Sequence, residues 1–115
     1  MSVQTDVRDA LWTDVCGIDA VHPGRGVAVL VDGQQVALFR VDDDVFAVAN
    51  RDPFSGANVI ARGIVGSRGD ILKVASPMYK QCFDLRTGRC LEEPDVALAT
   101  FAVRARNGRV EIASR

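Results

Sequence analysis

Residues Val74–Pro94 read VASPMYKQCFDLRTGRCLEEP, and the two halves of this stretch follow different rules. The second half has the outline of a hairpin: Phe83-Asp84-Leu85 ends a strand, Arg86-Thr87-Gly88 turns the chain, and Cys90-Leu91 begins the return. Asp and Thr offer side-chain oxygens to nearby N–H groups, and Gly takes positive φ without strain, which is what a tight turn requires. The first half, Ser76-Pro77-Met78-Tyr79, sets a hydroxyl and a phenol three residues apart around a proline. That is the spacing of a metal-binding loop, filled with side chains that are poor ligands for a soft metal. With Arg86–Arg89 as the turn, Cys90 is expected opposite Leu85 and Cys82 near Glu93, so no disulfide between the two thiols is predicted.

Outward from this stretch, alternation between polar and apolar residues dominates, with turn residues between the runs. LWTDVCGI (11–18) reads as a first strand, and DAVHPGRG (19–26) as a loop broken by Pro23-Gly24 and Gly26. VAVLV (27–31) and QVALFRV (35–41) form a hairpin about Asp32-Gly33, two residue types that tolerate positive φ. Asp42-Asp43-Asp44 makes the next turn and VFAVAN (45–50) the following strand. Arg51–Arg68 reads as a long irregular stretch with a short turn of helix. DILKVA (70–75) and YKQCFDL (79–85) return to strand, and residues 97–114 close the chain as a hairpin about Asn107-Gly108. Roughly eight short strands predict an all-β fold, an antiparallel β-sandwich or barrel with long loops. Residues 1–115 are expected to be one domain, with 1–10 a flexible N-terminal segment.

Composition narrows the function. The chain is 48% hydrophobic and 25% charged, with a formal net charge of −1, so no electrostatic case exists for nucleic acid or an anionic membrane as partner. Lys73 with Arg104, Arg106 and Arg109 forms at most a modest basic patch. No run approaches the ~20 apolar residues of a membrane span, and the start lacks the layout of a signal peptide, which makes the cytoplasm the expected location. Three cysteines (Cys16, Cys82, Cys90) and the single His22 do not make the paired ligands of a zinc site. One histidine in a glycine-rich loop supports no Ser-His-Asp or Cys-His catalytic group.

The order of these features resembles the Rieske [2Fe–2S] domain. A strand ends at Asn50, NRDPFSGANVIARG (50–63) follows, and a strand then leads into Ser76-Pro77-Met78-Tyr79 and the Phe-Asp, Thr-Gly hairpin. In that family the first loop carries Cys-x-His and the second Cys-Pro-x-His, with two cysteines on one iron and two histidines on the other. Framework positions agree at Asn50, Gly63, Pro77, Phe83, Asp84, Thr87, Gly88, Leu91 and Pro94. The four ligand positions do not: Asp52 and Ser76 stand where thiolates would, and Phe54 and Tyr79 stand where imidazoles would. The two aromatic rings are expected to fill the space between the loops, and Asp52 to cap a turn.

A ligand-less Rieske-like domain of this size resembles the small subunit of the assimilatory, cytoplasmic NAD(P)H-dependent nitrite reductase. That resemblance implies no cofactor and no catalytic residue in this chain. It implies a large-subunit partner that carries FAD, an iron–sulfur cluster and sirohaem and reduces nitrite to ammonium. Arg51, Pro53, Phe54, Pro77, Met78, Tyr79 and Lys80 are the candidate partner-binding residues, an aromatic and proline tip rimmed by cations. Two other readings are a cluster-less ferredoxin-like adaptor of another oxidoreductase, and a thiol-based redox module using Cys82 or Cys90 near Lys80, Arg86 and Arg89.

Overall fold

The computed structural model describes residues 11–113; the flexible segment expected at 1–10 lies outside the described residues. Strand β1 (Trp12–Gly17) leads into a 3₁₀ turn (Ile18–Ala20). β2 (Val27–Val31), β3 (Gln34–Val41) and β4 (Asp44–Ala49) then run as a meander. A second 3₁₀ turn (Ile60–Arg62) precedes β5 (Ile64–Arg68), β6 (Ile71–Ala75) and β7 (Cys82–Asp84). β8 (Thr100–Phe101), β9 (Val103–Arg106) and β10 (Arg109–Ala113) complete the described chain. All pairings between these strands are antiparallel and give three sheets, ordered β1-β10-β9, β2-β3-β4-β8 and β5-β6-β7.

The β2-β3-β4-β8 sheet is the central layer, and β3 shows why. Side chains alternate along a strand, so Val36 and Leu38 point one way and pack with Val110 and Ile112 of β10. Ala37 and Phe39 point the other way and pack with Val74 of β6 and Phe83 of β7. A strand buried on both faces reads as an unbroken apolar run, which is what Val-Ala-Leu-Phe is. The turns follow their sequences: Asp32 and Gly33 have φ of 52° and 80°, and Asn107 and Gly108 have 53° and 77°, both pairs in the left-handed region that a two-residue hairpin demands.

The all-β antiparallel architecture is as expected, with four differences in detail. β5 occupies part of the stretch expected to be irregular; Gly66 and Ser67 interrupt its apolar pattern, and pairing with β6 makes the strand. Tyr79-Lys80-Gln81 is loop rather than strand, because Ser76 and Gln81 close it with a main-chain bond of 2.9 Å and Lys80 sits at φ 65°. The hairpin after β7 is two residues out of the expected register. Cys90 pairs with Phe83, not Leu85, and the Cys82 carbonyl accepts from Leu91 N. The Asp84 side chain accepts from Arg86 N at 2.8 Å and Gly88 N bonds to Asp84 O at 2.7 Å, so the turn spans Leu85–Gly88. Finally, the expected basic group is divided between sheets: Lys73 lies on β6, whereas Arg104, Arg106 and Arg109 lie on β9 and β10. Arg104 bonds to Glu111 at 2.6 Å and stacks over Trp12, while Arg109 pairs with Asp14 at 3.0 Å.

Candidate functional site

The two loops singled out in the sequence are each closed by the same device. In the first, Asp52 N donates to Ala57 O at 2.8 Å and Gly56 N donates back to Asp52 O at 2.7 Å, with Gly56 at φ 79°. The Asp52 Oδ1 atom accepts from Phe54 N at 2.8 Å and Ser55 N at 3.3 Å, so the expected turn cap is present. In the second, Ser76 N donates to Gln81 O and Lys80 N to Ser76 O, while Ser76 Oγ accepts from Met78 N at 3.2 Å. The residue that opens each loop therefore caps the N–H two positions on. The Ser76 hydroxyl also donates to Asp52 Oδ2 and joins the loops directly. Both side chains are buried, Asp52 completely. A carboxylate out of water needs its lone pairs filled, and here three donors fill them.

Asn50 holds the far ends of the first loop. Its amide donates to Gln35 Oε1 at 2.9 Å, and its carbonyl oxygen accepts from Ala61 N at 2.7 Å. The next contact is backbone on backbone: a Cβ on Gly63 would overlap the carbonyl oxygen of Ala75, the residue before Ser76. The pair of loops is thus tied together by side-chain and backbone contacts.

Phe54 points toward the core. It is half-buried and packs on the core, its ring tilted 42° to Phe83 with centroids 6.2 Å apart. Tyr79 does not fill the space between the loops. It is 59% exposed and Met78 is 47% exposed, because closing the loop at Ser76 turns both outward. Arg51, Pro53, Pro77 and Lys80 are exposed as well.

The fold implies a [2Fe–2S] cluster, and these residues do not fit one. The Asp52 oxygens are occupied by donors from both loops, Phe54 has no lone pair, Ser76 is held by Asp52, and Tyr79 is exposed. Among the described residues, no group of three His, Cys, Asp or Glu side chains gathers to hold a metal. The thiols are free, and burial pushes the Cys90 and Cys16 thiols above their ordinary range. His22 is exposed.

Residues 11–113 match the Rieske-like [2Fe-2S] domain family. The chain belongs to that family. Its relatives narrow the branch. It is 41% identical over 103 residues to the nitrite reductase (NADH) small subunit of Salmonella typhimurium, covering 88% of this chain and 95% of the relative. A crystal structure assigned to an NADH-dependent nitrite reductase small subunit of Mycobacterium tuberculosis superposes with a TM-score of 0.88 at 50% identity. That superposition covers 92% of this chain and 96% of the other. The nitrite reductase [NAD(P)H] large subunit of Klebsiella oxytoca contains a segment 36% identical over 104 residues, covering 90% of this chain and 11% of that protein.

Beside the loops of this Rieske-like domain lies a cleft of about 300 Å³, lined by Gly24, Arg25, Gly26, Ala61, Arg62 and Gly63. The sequence reading passed over Arg25 and Arg62. Their signal is the glycine beside each, in Gly24-Arg25-Gly26 and Arg62-Gly63. A Cβ on Gly26 would overlap the Ala61 carbonyl oxygen, so the two segments meet only because glycine stands there.

Proposed function

We propose that this chain is the small subunit of a cytoplasmic NAD(P)H-dependent nitrite reductase, that it carries no redox centre, and that it acts as a docking module. The observation that carries the reading is the end-to-end similarity to the Salmonella typhimurium small subunit. The Klebsiella oxytoca large subunit adds weight, because a similar segment is there part of one chain with the reductase. In this reading residues 1–115 are a single domain, and FAD, iron–sulfur cluster and sirohaem reside in the large subunit, where nitrite is reduced to ammonium. The absence of helices long and apolar enough to cross a membrane among the described residues is compatible with that assembly.

The part assigned to this chain is binding and positioning. Pro53, Pro77, Met78 and Tyr79 form the contact surface, with Arg51 and Lys80 at its rim and half-buried Phe54 supporting it from beneath. Exposed Tyr and Met at a tip are the side-chain types that anchor interfaces. The Asp52–Ser76 hydrogen bond keeps the two loops in register without a cluster. A thiol-based role at Cys90 is disfavoured because burial raises that thiol and withholds the thiolate that such chemistry needs.

The test is reconstitution. The large subunit, prepared without its small subunit, is assayed for nitrite-dependent NAD(P)H oxidation with and without this chain, and the purified chain is analysed for iron. Stimulation by a colourless, iron-free chain is the expected result. No stimulation, or stoichiometric iron, contradicts the reading.

A further inference from the structure

Three segments build the end of the molecule that carries the two loops: 22–26, 50–63 and 76–81. Their adjacency is direct, since Gly26 abuts Ala61, Gly63 abuts Ala75, and Ser76 bonds to Asp52. Their charge is one-sided. Arg25, Arg51, Arg62 and Lys80 are all exposed, and the one carboxylate in these segments, Asp52, is fully buried and bound by Ser76, Phe54 and Ser55. None of the four cations has an ion pair among the described residues, whereas Arg68, Arg104 and Arg109 pair with Glu92, Glu111 and Asp14 elsewhere. A chain of net charge −1 thus presents a cationic end. At that end the 300 Å³ cleft is lined by Arg25 and Arg62 together with Gly24, Gly26, Ala61 and Gly63, with no acidic residue in its lining.

We propose that this end is a seat for a carboxylate-rich surface of the large subunit, and that one acidic side chain enters the cleft between Arg25 and Arg62. The proposal rests on the docking reading above and adds the chemistry of the counter-surface. Guanidinium groups bind carboxylates through paired N–H donors, and two of them lining one cleft fix where such a side chain lies. Met78, Tyr79 and Pro77 supply the apolar contact beside it, while the cations steer the encounter.

The experiment measures the affinity and association rate of the whole chain for the large subunit at rising NaCl concentration. Arg25→Glu/Arg62→Glu is compared with Arg89→Glu/Arg106→Glu, which has the same net charge but alters arginines outside the three segments that have no ion pair among the described residues. For the parent chain, raising salt from about 50 to about 300 mM should slow association roughly tenfold or more. The cleft variant should lose affinity about tenfold or more and lose most of the salt dependence, with its circular dichroism unchanged. The control variant should bind within about threefold of the parent. If the parent chain binds tightly but without salt dependence, or both variants weaken equally, the carboxylate seat is wrong and the docking reading stands. Saturable binding of inorganic nitrite at the cleft, lost in Arg25→Glu/Arg62→Glu, would replace it with a small-anion site. If the parent chain does not bind the large subunit at all, the docking reading itself fails.

Discussion

Asp52 and Ser76, which the sequence resemblance sets where thiolates would stand, hold the two loops together with oxygen. Each caps its own loop, and the hydrogen bond between them ties the loops together. Asp52→Ala leaves the N–H groups of Phe54 and Ser55 and the Ser76 hydroxyl without an acceptor in a buried place. The expected loss is about 2–4 kcal/mol in urea denaturation. Ser76→Ala removes one donor from a buried carboxylate, with an expected loss of about 1–3 kcal/mol. The two losses should not add in the double variant, and full additivity would mean that the bond does not join the loops. Ionisable residues set the limits of stability. The Cys82 N–H, with help from Arg68, holds the Glu92 carboxyl below its usual range, so its contribution is present above about pH 4.3 and fades as pH falls through its folded value. The Cys90 and Cys16 thiols are raised chiefly by burial. Their contribution is whole below about pH 8.5 and fades as pH rises through their folded values. Thermal midpoints should therefore form a plateau from about pH 5 to about pH 8 and fall on both sides. A midpoint that rises above pH 9 contradicts the burial of the thiols.

At the scale of elements, what was legible depended on whether a turn or a tertiary contact made the structure. The Asp32-Gly33 and Asn107-Gly108 hairpins were legible because a two-residue turn with positive φ selects those residues locally. β5 was not, since Gly66-Ser67-Arg68 becomes strand only by lying against Leu72 and Lys73. The register after β7 also failed, because Asp84, not Arg86, begins the turn through its side chain. Gly88 ends that turn at φ 81°, and a Cβ there would overlap the carbonyl oxygen of Leu98. Gly33 has a similar φ with open space around it. Alanine at Gly33 should cost about 1 kcal/mol from the backbone alone. Alanine at Gly88 should cost about 3 kcal/mol or more, because the segment carrying Leu98 must move away. Equal effects in thermal denaturation would show that the Gly88–Leu98 approach carries no weight.

At the scale of the whole molecule, the sequence disclosed the fold because it is written in the order of strands, turns and framework residues. It did not disclose the outward turn of Tyr79, which follows from the Ser76–Gln81 closure, nor the cleft between Arg25 and Arg62, whose walls lie 37 residues apart and meet only in the folded chain. We propose that a Rieske-like domain without a cluster serves nitrite reduction through the surface of its two loops. The most direct measurement titrates the large subunit with the parent chain and with Met78→Ala/Tyr79→Ala, both checked for unchanged circular dichroism, while nitrite-dependent NAD(P)H oxidation is followed. The expected result is saturation by the parent chain and a requirement for at least ~30-fold more of the variant, as befits loss of about 2 kcal/mol from exposed anchors. Coincident titration curves for the two proteins would contradict the claim.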